Sequence, residues 1–200
     1  MPDPAPPPSA PAASLHPPWY PPLQLTLAAA VWAIGVASAG RGGLMVAPLA
    51  AATLIALHAV ISRRPGDELR LIVSAMMIGL LGDSLLCAAG LVAAAPFADQ
   101  VAPPWQLALW TLPGAALHTY LRWMSAHRAL AAASAAGAAA LACLAGQRLG
   151  ALRFPAGTLP ALGASALSWA LAMTLLLSWS ARLDRRHRGT AAAALPGPPR

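Results

Sequence analysis

Three ionisable side chains lie inside long apolar runs of this chain: His58, Asp83 and His118. A charge in the middle of a membrane helix costs about 2.5–3.5 kcal/mol on insertion scales, so such groups face a protein interior, pair, or serve a function. Imidazole titrates near neutrality and suits ligand binding or proton relay. The sharp reading of the three is a polar track through the membrane. The plain reading is that each histidine hydrogen-bonds a neighbouring helix and Asp83 is protonated or paired, holding a bundle in register. Two histidines and a carboxylate are also a metal-ligand set. Unequal depths argue against an ion here: both histidines fall roughly 10 Å from one face of the hydrocarbon and Asp83 roughly 18 Å from it, at ~1.5 Å of rise per residue.

Three arginines near span ends complete the candidate polar contacts. Arg122 lies beside Trp123 and can snorkel to a headgroup. Arg148 and Arg153 flank a stretch leaving the membrane, where a lipid phosphate, or Asp83 in the case of Arg148, is a suitable partner. No catalytic residue, metal or cofactor is assigned. The sequence has no G-x-x-x-x-G-K-[ST], H-E-x-x-H, G-x-S-x-G or dinucleotide fingerprint. No paired halves with interrupted helices stand out. Cys87 and Cys143 sit in apolar runs without ligand spacing and read as small buried hydrophobes.

The elements that must position these groups follow from composition. Hydrophobic residues make up 58% of the chain and charged residues 10%. That is too little polar surface for a water-soluble domain, which carries roughly 25% charged residues. The sequence predicts an all-α integral membrane bundle of six transmembrane helices. The spans are about 23–39, 44–61, 71–93, 105–124, 129–147 and 159–179, each near the ~20 residues that cross a ~30 Å core. Barrel strands would alternate over about ten residues instead. Residues 1–22 hold ten prolines and read as a disordered cytoplasmic tail. Residues 182–200 read as a basic, proline-ending cytoplasmic tail. Ala37-Ser38-Ala39 resembles a signal-peptidase site, but no Arg or Lys precedes Arg41, so the first span is expected to be retained.

Loops are equally legible. Gly40-Arg41-Gly42-Gly43 is a tight turn, and Ser62 to Glu68 a charged loop turning at Pro65-Gly66. The Ala-rich fifth span is the least apolar, and Ser134 and Gly137 are its expected points of close approach. The chain has thirteen arginines and no lysine, for a net charge of +7. They stand in short gaps between apolar runs, a topology signal and not a nucleic-acid stripe. Arg63, Arg64, Arg70, Arg122, Arg128, Arg182, Arg185, Arg186 and Arg188 fall on one side, against Arg41, Arg148 and Arg153 on the other. That bias puts both termini in the cytoplasm. Trp19, Tyr20, Trp105, Trp123 and Trp179 are expected to form aromatic belts.

Three segments carry a resemblance: Gly79-Leu80-Leu81-Gly82-Asp83-Ser84-Leu85-Leu86, Leu117-His118-Thr119-Tyr120-Leu121-Arg122-Trp123, and Gly146-Gln147-Arg148-Leu149-Gly150-Ala151-Leu152-Arg153-Phe154. In that order the chain resembles, over about residues 22–182, a family of small bacterial inner-membrane proteins catalogued only as a domain of unknown function. The resemblance implies a helical bundle without an established activity. It also implies a link to membrane-associated lipid-modifying enzymes, near which members are encoded. The leading expectation is an accessory or scaffold protein whose partners are the bilayer and such enzymes. The alternatives are a small proton-coupled transporter or flippase using His58, Asp83 and His118, and an intramembrane enzyme acting on a lipid.

Overall fold

A computed structural model describes residues 16–97 and 101–193, with side-chain surroundings up to Arg186. The expected tail segments 1–15 and 194–200 lie outside the described residues. Among the described residues the architecture is all-α, apart from one two-residue β pair. Helices α1 (Tyr20–Ala39), α3 (Pro65–Ala88), α6 (Arg128–Arg148) and α7 (Thr158–Ala193) are the long ones, and each contains a stretch long and apolar enough to cross a membrane. These are the helices of a multi-pass membrane protein. Exposed apolar side chains such as Val60, Leu81, Leu85, Leu141 and Leu159, which would be misplaced in water, suit a lipid-facing surface.

Six full spans are not what the structure draws. Helix α2 (Val46–Ile61) is apolar but has 16 residues, or about 24 Å of rise against a ~30 Å core. The fourth segment, expected as one helix over 105–124, is broken into α4 (Pro104–Leu109), α5 (Thr111–Ala116), a run of turns and a 3-10 turn over Arg122–Ala126. Pro113 is one cause: without an N–H it cannot bond the carbonyl of Leu109, four residues back. Side chains compensate further on. The carbonyl of Ala115 accepts from Gln24 Nε2 of α1 at 2.9 Å and from Thr119 Oγ1 at 3.3 Å.

Helix α3 starts earlier than the expected 71. Pro65 opens it, a position where a missing N–H is harmless, and Asp67 and Glu68 occupy a first turn whose dipole favours anions. Thus the charged segment Ser62 to Glu68 is a loop only as far as Arg64. Its buried residues Glu68, Ile72, Ala75, Gly79, Asp83 and Cys87 recur every three or four positions and form one inward stripe. The glycine turn is present, with Gly42 at φ 88. Helix α7 continues past the expected span end at 179, through Arg182, Arg185 and Arg186, to Ala193.

Packing joins α6 to α7, α3 to α5 and α7, and α1 to α2. Close approach of α6 uses Ala131, Ala135, Ala139 and Gly146, not Ser134 and Gly137. Gly137 faces open space, where a Cβ would meet nothing within 4 Å, and Ser134 is exposed. Alanine at every fourth position already gives a flat face, so no smaller residue is needed. At one end, β1 (Ala93–Ala94) pairs antiparallel with β2 (Leu152–Arg153), Ala93 opposite Arg153. Of the aromatic residues expected at the membrane interfaces, Trp19 and Trp123 are exposed, whereas Tyr20 and Trp105 are buried.

Candidate functional site: a carboxylate between histidines

Glu68 sits at the centre of a sealed polar cluster. Each element contributes from its inward stripe: Tyr20 and Gln24 one turn apart on α1, His58 on the last turn of α2, Glu68 on the first turn of α3, and Ser180 on α7. His118 follows the break after α5, and His16 precedes α1. Glu68 and His58 have no exposed surface, and the others are between 0% and 8% exposed.

The hydrogen bonds admit one self-consistent assignment with neutral imidazoles. His58 donates from Nε2 to Glu68 Oε2 at 3.2 Å and accepts at Nδ1 from the Tyr20 hydroxyl at 2.9 Å. His118 donates from Nδ1 to Glu68 Oε1 at 3.1 Å and accepts at Nε2 from Ser180 Oγ at 2.8 Å. Gln24 Nε2 lies 3.4 Å from His58 Nδ1 while bonding Ala115. In this assignment the carboxylate carries the one net charge, satisfied on both oxygens as a buried anion requires.

His16 closes the cluster from outside the helices. Its Nε2 is 4.0 Å from Glu68 Oε1, and its ring stacks 5.0 Å from that of His58 and 5.3 Å from that of Tyr20. Burial is the largest influence on its pKa and pushes it below the ordinary imidazole value, against the opposing pull of Glu68.

Of the three residues singled out as a track, the structure brings His58 and His118 together, through Glu68. Asp83 stands apart, fifteen residues along α3, or about 22 Å of helix. Its Oδ2 accepts from Trp110 Nε1 at 2.7 Å. It lines a cavity of about 70 Å³ with Gln106, Cys143, Ser165 and Trp169. Trp110 lies directly on Gly79, one turn before Asp83, where any Cβ would strike the indole. Cys87 and Cys143 are free thiols, buried and half-buried.

The arginines lie at the surface. Arg122 is exposed on the 3-10 turn, and Arg148 is exposed at the end of α6. The acid of α3 is met by Trp110 and not by Arg148. The Arg153 guanidinium stacks 4.0 Å over the Phe97 ring.

Glu68 and His16 were missed by sequence reasoning because each was placed in a polar segment, a loop and a tail. One signal could have found Glu68. It is in register with Ile72, Ala75, Gly79 and Asp83 once Pro65 is read as a helix start and not as a turn.

Against known proteins, residues 22–175 match the model of a family described as a protein of unknown function (DUF2878). The chain belongs to that family. No curated protein and no solved structure matches it.

Proposed function

We propose that the protein is an accessory component of a bacterial inner membrane that holds a phospholipid acyl chain for membrane-associated lipid-modifying enzymes. One observation carries the reading: an apolar groove of about 340 Å³ between α1 and α6. Leu25, Ala28 and Trp32 form one wall and Ala131, Ser134 and Ala138 the other, over a floor from α5 and α7. The groove exists because the broken fourth segment does not fill the space that a full-length helix would. Tyr120 and Met124 line it beside the exposed Arg122, and Arg128 stands one turn before Ala131. An acyl chain in the groove would thus have two guanidinium groups near for an anionic headgroup. The sealed His–Glu cluster contributes rigidity, tying α1, α2, α3, the fourth segment and α7 together.

The arginine bias supports an orientation with both termini in the cytoplasm, which puts the arginine end of the groove on the cytoplasmic side. Reporter fusions at residues 66 and 126 are expected to read cytoplasmic and those at 42 and 156 periplasmic; the reverse pattern would invert the assignment.

Filling the groove tests the function. Ser134→Phe and Ala138→Phe project into it from the exposed flank of α6 without touching the packed alanine stripe. In a strain lacking the protein, the wild type should restore the membrane lipid profile and both variants should fail at equal protein level. A lipid profile unaltered by deletion, or fully restored by both variants, would remove the reading.

A further inference from the structure

We infer that His16, His58 and Glu68 form a binding site for one divalent transition-metal ion of the zinc class. One ligand atom from each lies within 4.8 Å of those of the other two, and all three residues are buried. The donors are two imidazole nitrogens and a carboxylate, with no sulfur, a set suited to Zn²⁺. Donors on a common ion at bonds of about 2.0–2.2 Å stand roughly 3–3.5 Å apart. The His58–Glu68 pair is already at that spacing, at 3.2 Å. His16 Nε2 stands 4.0 Å from the other carboxylate oxygen, Oε1, and its ligand atom is within 4.8 Å of the other two, so it closes by roughly 1–2 Å. It lies ahead of α1 and can do so without moving a helix.

The partners behind the ligands are what distinguish this from an accidental cluster. A metal-bound imidazole characteristically donates its other ring N–H to an oxygen, and a bound carboxylate is itself hydrogen-bonded. Behind His58, Nδ1 has the Tyr20 hydroxyl at 2.9 Å. Behind Glu68, Oε1 has His118 Nδ1 at 3.1 Å, and His118 is fixed in turn by Ser180. On ligation the His58 proton moves from Nε2 to Nδ1, and Tyr20 Oη changes from donor to acceptor. The Nε2 lone pair then faces the ion, and the ion's charge replaces the hydrogen bond that Glu68 Oε2 loses. The site has three protein ligands, one short of the tetrahedral four.

The site stands on different residues from the lipid groove, so either can fail alone. The test uses the purified full chain in detergent, stripped with chelator and titrated with Zn²⁺, then with Co²⁺ for its visible spectrum. The wild type should bind one Zn²⁺ per chain, rise in Tm with it, and give a Co²⁺ spectrum of low coordination number. His16→Ala, outside the helices, should stay folded with a lowered metal-free Tm while weakening Zn²⁺ binding at least tenfold. Glu68→Gln should abolish stoichiometric binding; if it does not fold, His16→Ala still decides. A folded wild type that binds no stoichiometric Zn²⁺, or a His16→Ala protein with unchanged affinity, overturns the proposal. Binding that survives loss of His16 but not of Glu68 overturns the three-ligand set as well.

Discussion

Helix α3 carries two buried carboxylates on one stripe, and they are held in opposite ways. Glu68 is enclosed by side chains from several elements, with an imidazole N–H on each oxygen. Asp83 receives one indole N–H, has the Gln106 side chain as a second partner, and otherwise faces a small cavity. One site is enclosed by side chains, and the other borders a largely apolar cavity with room for water only beside its few polar groups. The contrast shows that the cost of a buried acid depends on whether its remaining lone pairs are met by fixed or by exchangeable partners. Fixed partners make a lock that fails when any member is removed. Exchangeable ones make a site that tolerates change.

The largest expected effect is therefore asymmetric between two isosteric changes. Glu68→Gln sets an amide donor against one of two imidazole donors, and that imidazole can accept it only by shifting its proton to the far nitrogen and turning its own partner. A loss of about 1.5–3 kcal/mol is expected, the range for losing buried hydrogen bonds to a charged group. Asp83→Asn can turn its carbonyl to Trp110 and its amide to the cavity, for about 0.5–1.5 kcal/mol. Unfolding of the two variants in mixed detergent measures both, and equal losses would break the comparison.

The Asp83 end has its own weak point, in packing and not in charge. A methyl at Gly79 meets the Trp110 indole, which must lift off α3 and leave Asp83. Gly79→Ala should cost about 1–3 kcal/mol, the usual range for overpacking. Because Trp110 also lies 4.4 Å from Trp169, its fluorescence should change with the shift. A variant as stable as the wild type with an unaltered emission spectrum would mean that the contact does not hold Trp110.

Legibility in the sequence divided along similar lines. Apolar runs revealed α1, α2, α3, α6 and α7, because lipid exposure imposes a hydrophobicity that no loop shares. The fourth segment was read as continuous because Trp105 to Met124 is apolar enough, while its path is set by Pro113 and by Gln24 reaching the Ala115 carbonyl from another helix. A hydropathy window contains neither fact. His58 and His118 were found because an ionisable group in an apolar run is conspicuous. Glu68 and His16 were not, since each lies among other polar residues, and only the fold shows that they point inward. Asp83 was grouped with the two histidines, whereas its partner is Trp110. Depth along a helix is computable from rise per residue, and neighbours across helices are not.

Two serines on α7 give the finest test of the difference between the ends. Ser180 Oγ is 2.8 Å from His118 Nε2 inside the sealed cluster. Ser165 is also buried, at 3% exposure, but lines the Asp83 cavity. Both lie on the same helix and both become alanine by loss of one oxygen, so helix propensity and volume change alike. Ser180→Ala strands an imidazole nitrogen with no solvent to replace the hydroxyl, and should cost about 1–3 kcal/mol. At Ser165→Ala the cavity grows slightly and water can reorganise toward Asp83, so the loss should stay within about 0.5 kcal/mol. Equal losses would show that the cavity is as dry as the cluster, and that the two acids differ only in the number of their hydrogen bonds. A larger loss at Ser165 would reverse the assignment and make the Asp83 end the rigid one.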